Sequence, residues 1–456
     1  MIEWVNMQKN KQIKTFYIES LGCAKNSVDS RSMAELLRRA GYQERNLPGE
    51  AHLLIVNTCG FIQPAREESL QVLREMAETK REGQYLVAAG CLSEREKQRL
   101  SAEVNGLDAI LGTRRWAEIV TVAERIQHPQ SSPYFHFPTN IPTNDDGVVR
   151  HILRAAVQGG SAYLKIADGC DRTCAFCAIP EIKGPMFSRP LEQVVADALV
   201  LQEMGVKELI LIAQDTTAYG SDLGMQAGLV DLLRAILSEA PDIPWVRMMY
   251  AFPGMISDDL MSLMAQAPAL LSYLDIPLQH AHPDVLKRMR RPADMDSVRA
   301  TLSRMRTLIP DLALRTTFIA GFPGETEVEF EALMEFVEGM RFDHVGIFPY
   351  YHESGTPAHA LGDDIPQEVK EERIQRLAAL QEDISLSKNQ AWIGRELDVL
   401  IEGQSEGFSA GRSFRDAPEI DGLVLFNETL PEGELVRARV SGALTHDLIA
   451  EKKQGG

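Results

Sequence analysis

Six cysteines in 456 residues, no long apolar run and a shortage of basic side chains each exclude something. Without about eighteen consecutive apolar residues, no segment is expected to span a membrane. With 47 Lys plus Arg against 65 Asp plus Glu the formal net charge is -18. Such a surface repels nucleic acid unless basic residues are gathered locally, and it attracts basic proteins. The opening MIEWVNMQKNKQIKTFY lacks the apolar core and small-residue cleavage site of a secretory signal. A reducing, cytoplasmic setting without disulfides is therefore expected.

The cysteines fall into two sets of three, Cys170, Cys174 and Cys177 in GCDRTCAFC, and Cys23, Cys59 and Cys91 across the first hundred residues. Each set lacks a fourth member, and that lack is itself chemical. Three thiolates leave one iron of a four-iron cluster with an open coordination position for a substrate or cofactor. Structural zinc takes four ligands in close pairs, and neither set has an obvious fourth His or Cys nearby. Burial as a free thiol is the alternative for Cys23, Cys59 or Cys91 taken singly. All three in step favour a site, so two clusters are expected.

The organisation supports convergence. Strand-like runs FYIESLGC, LLIVNTC and YLVAAGC each end on a cysteine, and helix-like segments such as SRSMAELLRRA and AREESLQVLREMAE alternate with them. That is the pattern of a parallel α/β sheet, whose ligands gather beyond the carboxyl ends of its strands. Pro, Asn, Ser and Gly in HPQSSPYFHFPTNIPTNDDG mark a linker. Six strand–helix repeats follow, with strands at AYLKIAD, KELILIAQD, WVRMMYA, SYLDIPLQ, LALRTTFIAGF and DHVGIFPYY. They predict a partial (βα)6 barrel whose chemistry lies at the strand C-termini, where GCDRTCAFC follows the first strand. A charged helical stretch from about Pro366, read as a solvated face, leads to short strands ELDVLIEG, FSAGRSF, GLVLFN and ELVRARVSGAL, read as a small β-barrel appendage. The expected divisions are an N-terminal α/β domain at 13–127, a linker at 128–155, the barrel at 156–385 and the appendage at 386–454. From Ser385 onward the appendage carries four more acidic than basic residues, which is not the excess expected of an RNA clamp.

C-x3-C-x-Phe-C after the first strand of such a barrel resembles the radical S-adenosylmethionine superfamily. With SLGCAKNSVDS, NTCGFI, AAGCLSER and a terminal β-barrel similar to a TRAM domain, the whole chain resembles the methylthiotransferase family. AQDTTAYG, with SLGCAKN and GCLSER, resembles the branch that modifies a ribosomal protein rather than tRNA adenosine. The resemblance implies that Cys170, Cys174 and Cys177 hold one [4Fe-4S] cluster, whose open iron binds S-adenosylmethionine, with Phe176 beside them. It implies that Cys23, Cys59 and Cys91 hold a second. One S-adenosylmethionine would methylate sulfur on that second cluster, and another would supply the radical that takes hydrogen from the β-carbon of an aspartate in small-subunit ribosomal protein twelve. A carbon beside a carboxylate is scarcely acidic near neutral pH, so no catalytic side-chain base is expected. The implied partners are that basic protein, an electron donor and a sulfur donor, with RNA contact not expected to dominate; tRNA adenosine is the alternative substrate.

Two features depart from relatives. The segment after the cluster loop reads IKGPMFSRP, leaving Lys183 and Arg189 as its basic residues, and AQDTT replaces the GGE signature that many superfamily members carry after the second strand. Gly321, Pro323 and Gly324 in FIAGFPGETE would let the backbone approach adenosine, and Gln279 is a further cofactor candidate. A plain turn explains the glycines as well. Asp215, Thr216, Thr217 and His280 lie where barrel sites form, with loop hydrogen bonding as the equal alternative. Glu402, Glu406, Glu432 and Glu434 are candidates for steering a basic partner.

Overall fold

The computed structural model describes residues 14–127, 133–137 and 151–453. The chain divides into two compact units, Met1–Ala156 with Ala178–Gly184, and Val157–Cys177 with Pro185–Gly456.

The first unit is built on one parallel sheet in the order β2-β1-β3-β4-β5-β6. Its strands are β1 (Thr15–Ser20), β2 (Gln43–Glu44), β3 (Leu53–Thr58), β4 (Tyr85–Gly90), β5 (Ala109–Gly112) and β6 (Tyr134–His136). Alternate residues of β3 serve opposite faces: Leu53 and Ile55 join one apolar cluster, Leu54 and Val56 the other. Burial on both faces is what a parallel sheet covered by crossover helices requires, and it accounts for the near-continuous apolar run LLIV. β6 corrects the linker expectation. Tyr134–His136 pairs parallel with β5, so apolar YFH within the Pro-rich stretch extends the sheet, while most of that stretch lies outside the described residues.

In the second unit the six expected barrel strands all form: β8 (Ser161–Lys165), β11 (Glu208–Ile212), β12 (Trp245–Met248), β13 (Tyr273–Asp275), β14 (Ala313–Ala320) and β15 (His344–Pro349). They make two ladders, β12-β11-β8 with the edge strand β7 (Ala155–Gln158), and β13-β14-β15. Between β12 and β13 the pairing is sparse: a parallel bridge joins Val246 to Leu270, just before β13, and Ala251 N–H donates to Asp275 O at 2.9 Å. A two-residue antiparallel clasp, β9 (Ala167–Asp168) with β10 (Phe187–Ser188), closes the neck of the cysteine loop.

The helix Gln367–Gln390 is more than a solvated face. Lys370, Arg373, Leu377, Gln381, Ile384, Ser385 and Asn389 are buried along one side. Their spacing is helical but mostly polar, so apolar periodicity could not reveal the packed face. The appendage is a closed barrel, β16-β17-β18-β20-β19, comprising Glu396–Ser405, Phe408–Ser413, Val424–Phe426, Leu448–Lys452 and Leu435–Ala443 respectively. It closes on a fifth strand, LIAEK, absent from the sequence reading.

The appendage sits on the N-terminal ends of the barrel strands. Arg412 Nη2 donates to Glu208 Oε2 at 2.5 Å and to Ser161 Oγ at 3.0 Å, and Arg247 Nε donates to Glu208 Oε1 at 2.6 Å. All three charged side chains are buried. Burial opposes ionisation of Glu208, but the guanidinium groups of Arg247 and Arg412 outweigh it and draw its carboxyl down to about 2. Tyr273 Oη and Arg315 Nε donate to Asp421 at 2.7 and 3.2 Å, extending the seam.

Candidate metal centres

In the first unit, register places the cysteines. Ser20 pairs with Asn57, and Asn57 with Ala89, so the adjacent strands β1, β3 and β4 end level. Cys23, Cys59 and Cys91 follow those ends, on strands about 4.8 Å apart. Side chains in the quoted motifs tie the ends together. Asn26 Nδ2 donates to the carbonyls of Leu21 and Asn57 at 2.7 and 3.0 Å, and Asn57 Nδ2 donates to Asn26 O at 2.9 Å. Thr58 Oγ1 donates to Ala89 O at 2.5 Å. Gly22, at φ +85°, is required here, because a Cβ would lie 2.8 Å from Cys59 Sγ.

The three thiols sense one another: Cys23 raises the thiol of Cys59, and Cys23 and Cys59 both raise that of Cys91. Burial is the largest influence at Cys59 and Cys91 and pushes Cys91 up to about 12, with the Lys183 ammonium the main opposing charge there. Lys183, one of the two basic residues left in the segment after the cluster loop, is internal to this unit. Its Nζ donates to Thr113 Oγ1 at 2.7 Å and Asp29 Oδ2 at 3.0 Å, and its helix, Ile179–Lys183, packs on the helix that begins at Cys91.

The second unit builds its triad within one loop. Ala175 N–H donates to Met289 O at 2.8 Å and Ala175 O accepts from Ala358 N–H at 2.7 Å, so the loop is strapped on both sides. Phe176 packs on the apolar group of Ala175, Val285, Met289, Phe322, Tyr350 and Ala358. The backbone N–H of Arg172 faces the Cys170 thiol, which burial raises, and Arg291 Nη1 donates to Cys174 Sγ at 3.5 Å. Cys170, Arg172, Met186, Asp215, Thr217 and Met225 line a cleft of about 390 Å³.

The other sequence candidates divide. Asp215 accepts from Arg172 Nε at 2.7 Å and from Thr217 Oγ1 at 2.5 Å, and Thr216 Oγ1 donates to Met249 O at 2.8 Å. Gln279 is held at φ +76°, strapped to β14 through Thr317 O and Ile319 N–H. His280 is fully buried, accepts from His282 N–H at 2.9 Å, and is pushed down to about 3 by burial, so it is a neutral loop residue. Gly321 is accounted for by packing: a Cβ there would lie 2.4 Å from Lys370 Cγ. Pro323 is buried in the following turn, and Gly324 N–H donates to Asp364 Oδ1 at 3.0 Å. Arg189 braces the barrel through Lys165 O and Asp197. Arg172, Arg291 and Phe252, which both guanidinium groups approach within 4.2 Å of the ring centre, carried no sequence signal because their partners are distant along the chain.

Among the described residues no three His, Cys, Asp or Glu side chains stand where one metal ion could bind them all. A single zinc needs every donor within about 2.3 Å. A four-iron cluster spreads its thiolates over separate irons, and N–H groups directed at sulfur suit thiolate ligands. Cys170, Cys174 and Cys177 on one loop, with the N–H groups of Arg172 and Arg291 at sulfur, suit such a cluster. No described helix is long and apolar enough to cross a membrane.

Comparison with known proteins agrees with the architecture. Residues 15–112 match the uncharacterized protein family UPF0004, 164–337 the radical SAM superfamily, and 393–452 the TRAM domain. The chain is 45% identical to the ribosomal protein uS12 methylthiotransferase RimO of Roseiflexus sp. (strain RS-1), covering 96% of each chain. It is 44% identical to that of Chloroflexus aurantiacus, covering 96% of this chain and 99% of the relative. Among solved structures, the radical S-adenosylmethionine methyltransferase TsrM from Kitasatospora setae superimposes with a TM-score of 0.56 at 13% identity, covering 88% of this chain and 77% of that one. At that identity the likeness supports the fold alone. Full-length identity to curated relatives settles the membership: the chain belongs to the RimO family of radical SAM methylthiotransferases.

Proposed function

We propose that this chain methylthiolates the β-carbon of an aspartate in ribosomal protein uS12, using two [4Fe-4S] clusters, one on Cys170, Cys174 and Cys177 and the other on Cys23, Cys59 and Cys91. S-adenosylmethionine and one such cluster come with the superfamily; the second cluster is our reading. The observation that supports it is the level ending of β1, β3 and β4, on which three cysteines far apart in sequence follow and whose ends Asn26 and Asn57 tie together. When bound, S-adenosylmethionine supplies the hydrogen-abstracting radical and the methyl group. The chain's own residues fix positions. The straps at Ala175 hold the barrel loop, the Arg172–Asp215 pair lines the cleft beside Cys170, and Gly22 lets Cys23 and Cys59 approach.

Ribosomal proteins are generally basic, and the chain's charge of -18 favours their encounter. Arg412 and Arg415 of the appendage are buried and cannot meet phosphates, which weakens the tRNA alternative. We place the reaction in the cytoplasm, with an electron donor and a sulfur donor as further partners. Mass spectrometry of uS12 and of tRNA from a deletion strain tests the reading. The methylthio group is expected to vanish from uS12 and return on complementation; its loss from tRNA with uS12 unchanged would overturn the assignment.

A further inference from the structure

The helix Pro283–Arg288 ends in a turn that aims one side chain at the barrel triad. Arg290 sits at φ +55°, Arg290 N–H donates to Lys287 O at 3.0 Å, and Arg291 N–H donates to Leu286 O at 2.8 Å. This paired cap normally places glycine at the left-handed position. Here the position is arginine, so the backbone carries a modest strain that its surroundings hold in place. The same helix end contributes Met289 O, which receives the Ala175 N–H. Arg291 then donates from Nη1 to Cys174 Sγ at 3.5 Å and from Nη2 to Pro277 O, and its guanidinium lies 4.2 Å from the centre of the Phe252 ring. Three contacts from three parts of the barrel fix it, and Nε, buried, has no hydrogen-bond partner among the described residues.

We propose that Arg291 is a positioning residue for the barrel cluster, its N–H···S bond to Cys174 and its fixed positive charge raising the reduction potential of the iron held there. The proposal rests on the ligand reading above. A four-iron core of charge 2+ with three thiolates carries one net negative charge, and reduction adds a second. A hydrogen-bond donor and a cation beside one sulfur stabilise the more negative state, and both are recognised influences on cluster potentials. Arg172 reaches the other side of the triad through its backbone N–H and pairs its own charge with Asp215, whereas the Arg291 guanidinium donates directly to Cys174 Sγ.

The test uses the full chain with Cys23, Cys59 and Cys91 changed to Ala, so that one cluster is observed, in a redox titration followed by electron paramagnetic resonance without S-adenosylmethionine. At the poise where half of this parent is reduced, Arg291→Met is expected to show an approximately tenfold lower ratio of reduced to oxidised cluster, a shift of about 59 mV to more negative potential for one electron. Arg291→Lys, which keeps the charge without the planar fork, is expected to shift less. An unchanged potential in Arg291→Met with full iron overturns the proposal. So does an unchanged potential with weakened binding of S-adenosylmethionine, which would assign Arg291 to the cofactor. If the Met variant fails to hold iron, Arg291→Gln replaces it, and a potential equal to the parent's overturns the proposal in the same way. A parent without iron overturns the ligand reading itself, and the proposal with it.

Discussion

Cys170, Cys174 and Cys177 share one loop, clasped at its neck by β9 and β10 and strapped through Ala175. Cys23, Cys59 and Cys91 stand at the ends of three strands and meet only because β1, β3 and β4 are in register. The loop triad is a local construction, so its integrity depends on a few backbone hydrogen bonds. The strand-end triad is a property of a whole sheet, because a register slip of one residue would turn its flanking side chains to the opposite face. The same number of thiols therefore has different vulnerabilities.

The largest effects separate the two triads outright. Changing Cys170, Cys174 and Cys177 to Ala is expected to abolish 5′-deoxyadenosine formation while about half of the iron remains, since the other triad is untouched. The converse triple change at Cys23, Cys59 and Cys91 is expected to leave cofactor cleavage intact and end methylthio transfer. Retained transfer in that variant would reduce the strand-end cysteines to buried thiols.

Glu208→Gln probes the second unit alone. Breaking the buried ion pair leaves Arg247 without its carboxylate and Arg412 with Glu402 alone, and is expected to cost about 3–5 kcal/mol. Differential scanning calorimetry should show the second unit melting at lower temperature, with iron in the Cys170, Cys174 and Cys177 variant unchanged. Loss of that iron would break the comparison. Acid makes the same point in the parent chain. Glu208 is depressed to about 2 in the fold, so its contribution is fully present above the ordinary glutamate value of about 4.3 and is lost as pH falls through about 2. The shift corresponds to roughly 3 kcal/mol, and Glu208→Gln should flatten the acid limb of a stability–pH curve.

Gly22→Ala addresses the strand-end triad. The left-handed backbone and the approach of a Cβ to Cys59 Sγ are expected to cost about 1–2 kcal/mol and to lower iron occupancy in the variant that keeps only this triad. Equal iron before and after the change would detach the site from the geometry described. The smallest effect concerns capture. Glu402 is engaged by Arg412 at 2.6 Å, so it is not a free steering charge as the sequence suggested. Glu406, Glu432 and Glu434 are exposed, and their joint change to Gln should slow association with uS12 a few-fold, with the parent's rate falling as salt rises. Stopped-flow binding reads this directly, and a salt-independent rate would remove steering from the account.

Sequence patterning revealed the strand ends because apolar runs stop abruptly at Cys23, Cys59 and Cys91, and it revealed six barrel strands because each is followed by a helical period. It missed β6 because proline and asparagine surround YFH, and it missed the packed face of Gln367–Gln390 because that face is polar. Arg291 was illegible for another reason. Its meaning comes from Cys174, Pro277 and Phe252, and nothing in the local pattern RMRRPA indicates which arginine reaches sulfur. Gly321 shows the reverse error: a glycine read as space for adenosine is accounted for by the stem of Lys370.

The seating of the appendage on the starts of β8, β11, β13 and β15 sets a length scale. The cysteine loop, Asp215 and Gln279 lie beyond the opposite ends, and β11 and β14 run for 5 and 8 residues respectively. At about 3.3 Å per residue, roughly 20 Å of barrel separates the appendage's seam from the cysteine loop. The buried Glu208 seam and the cysteine loop therefore stand at opposite ends of the barrel, with the length of the strands between them.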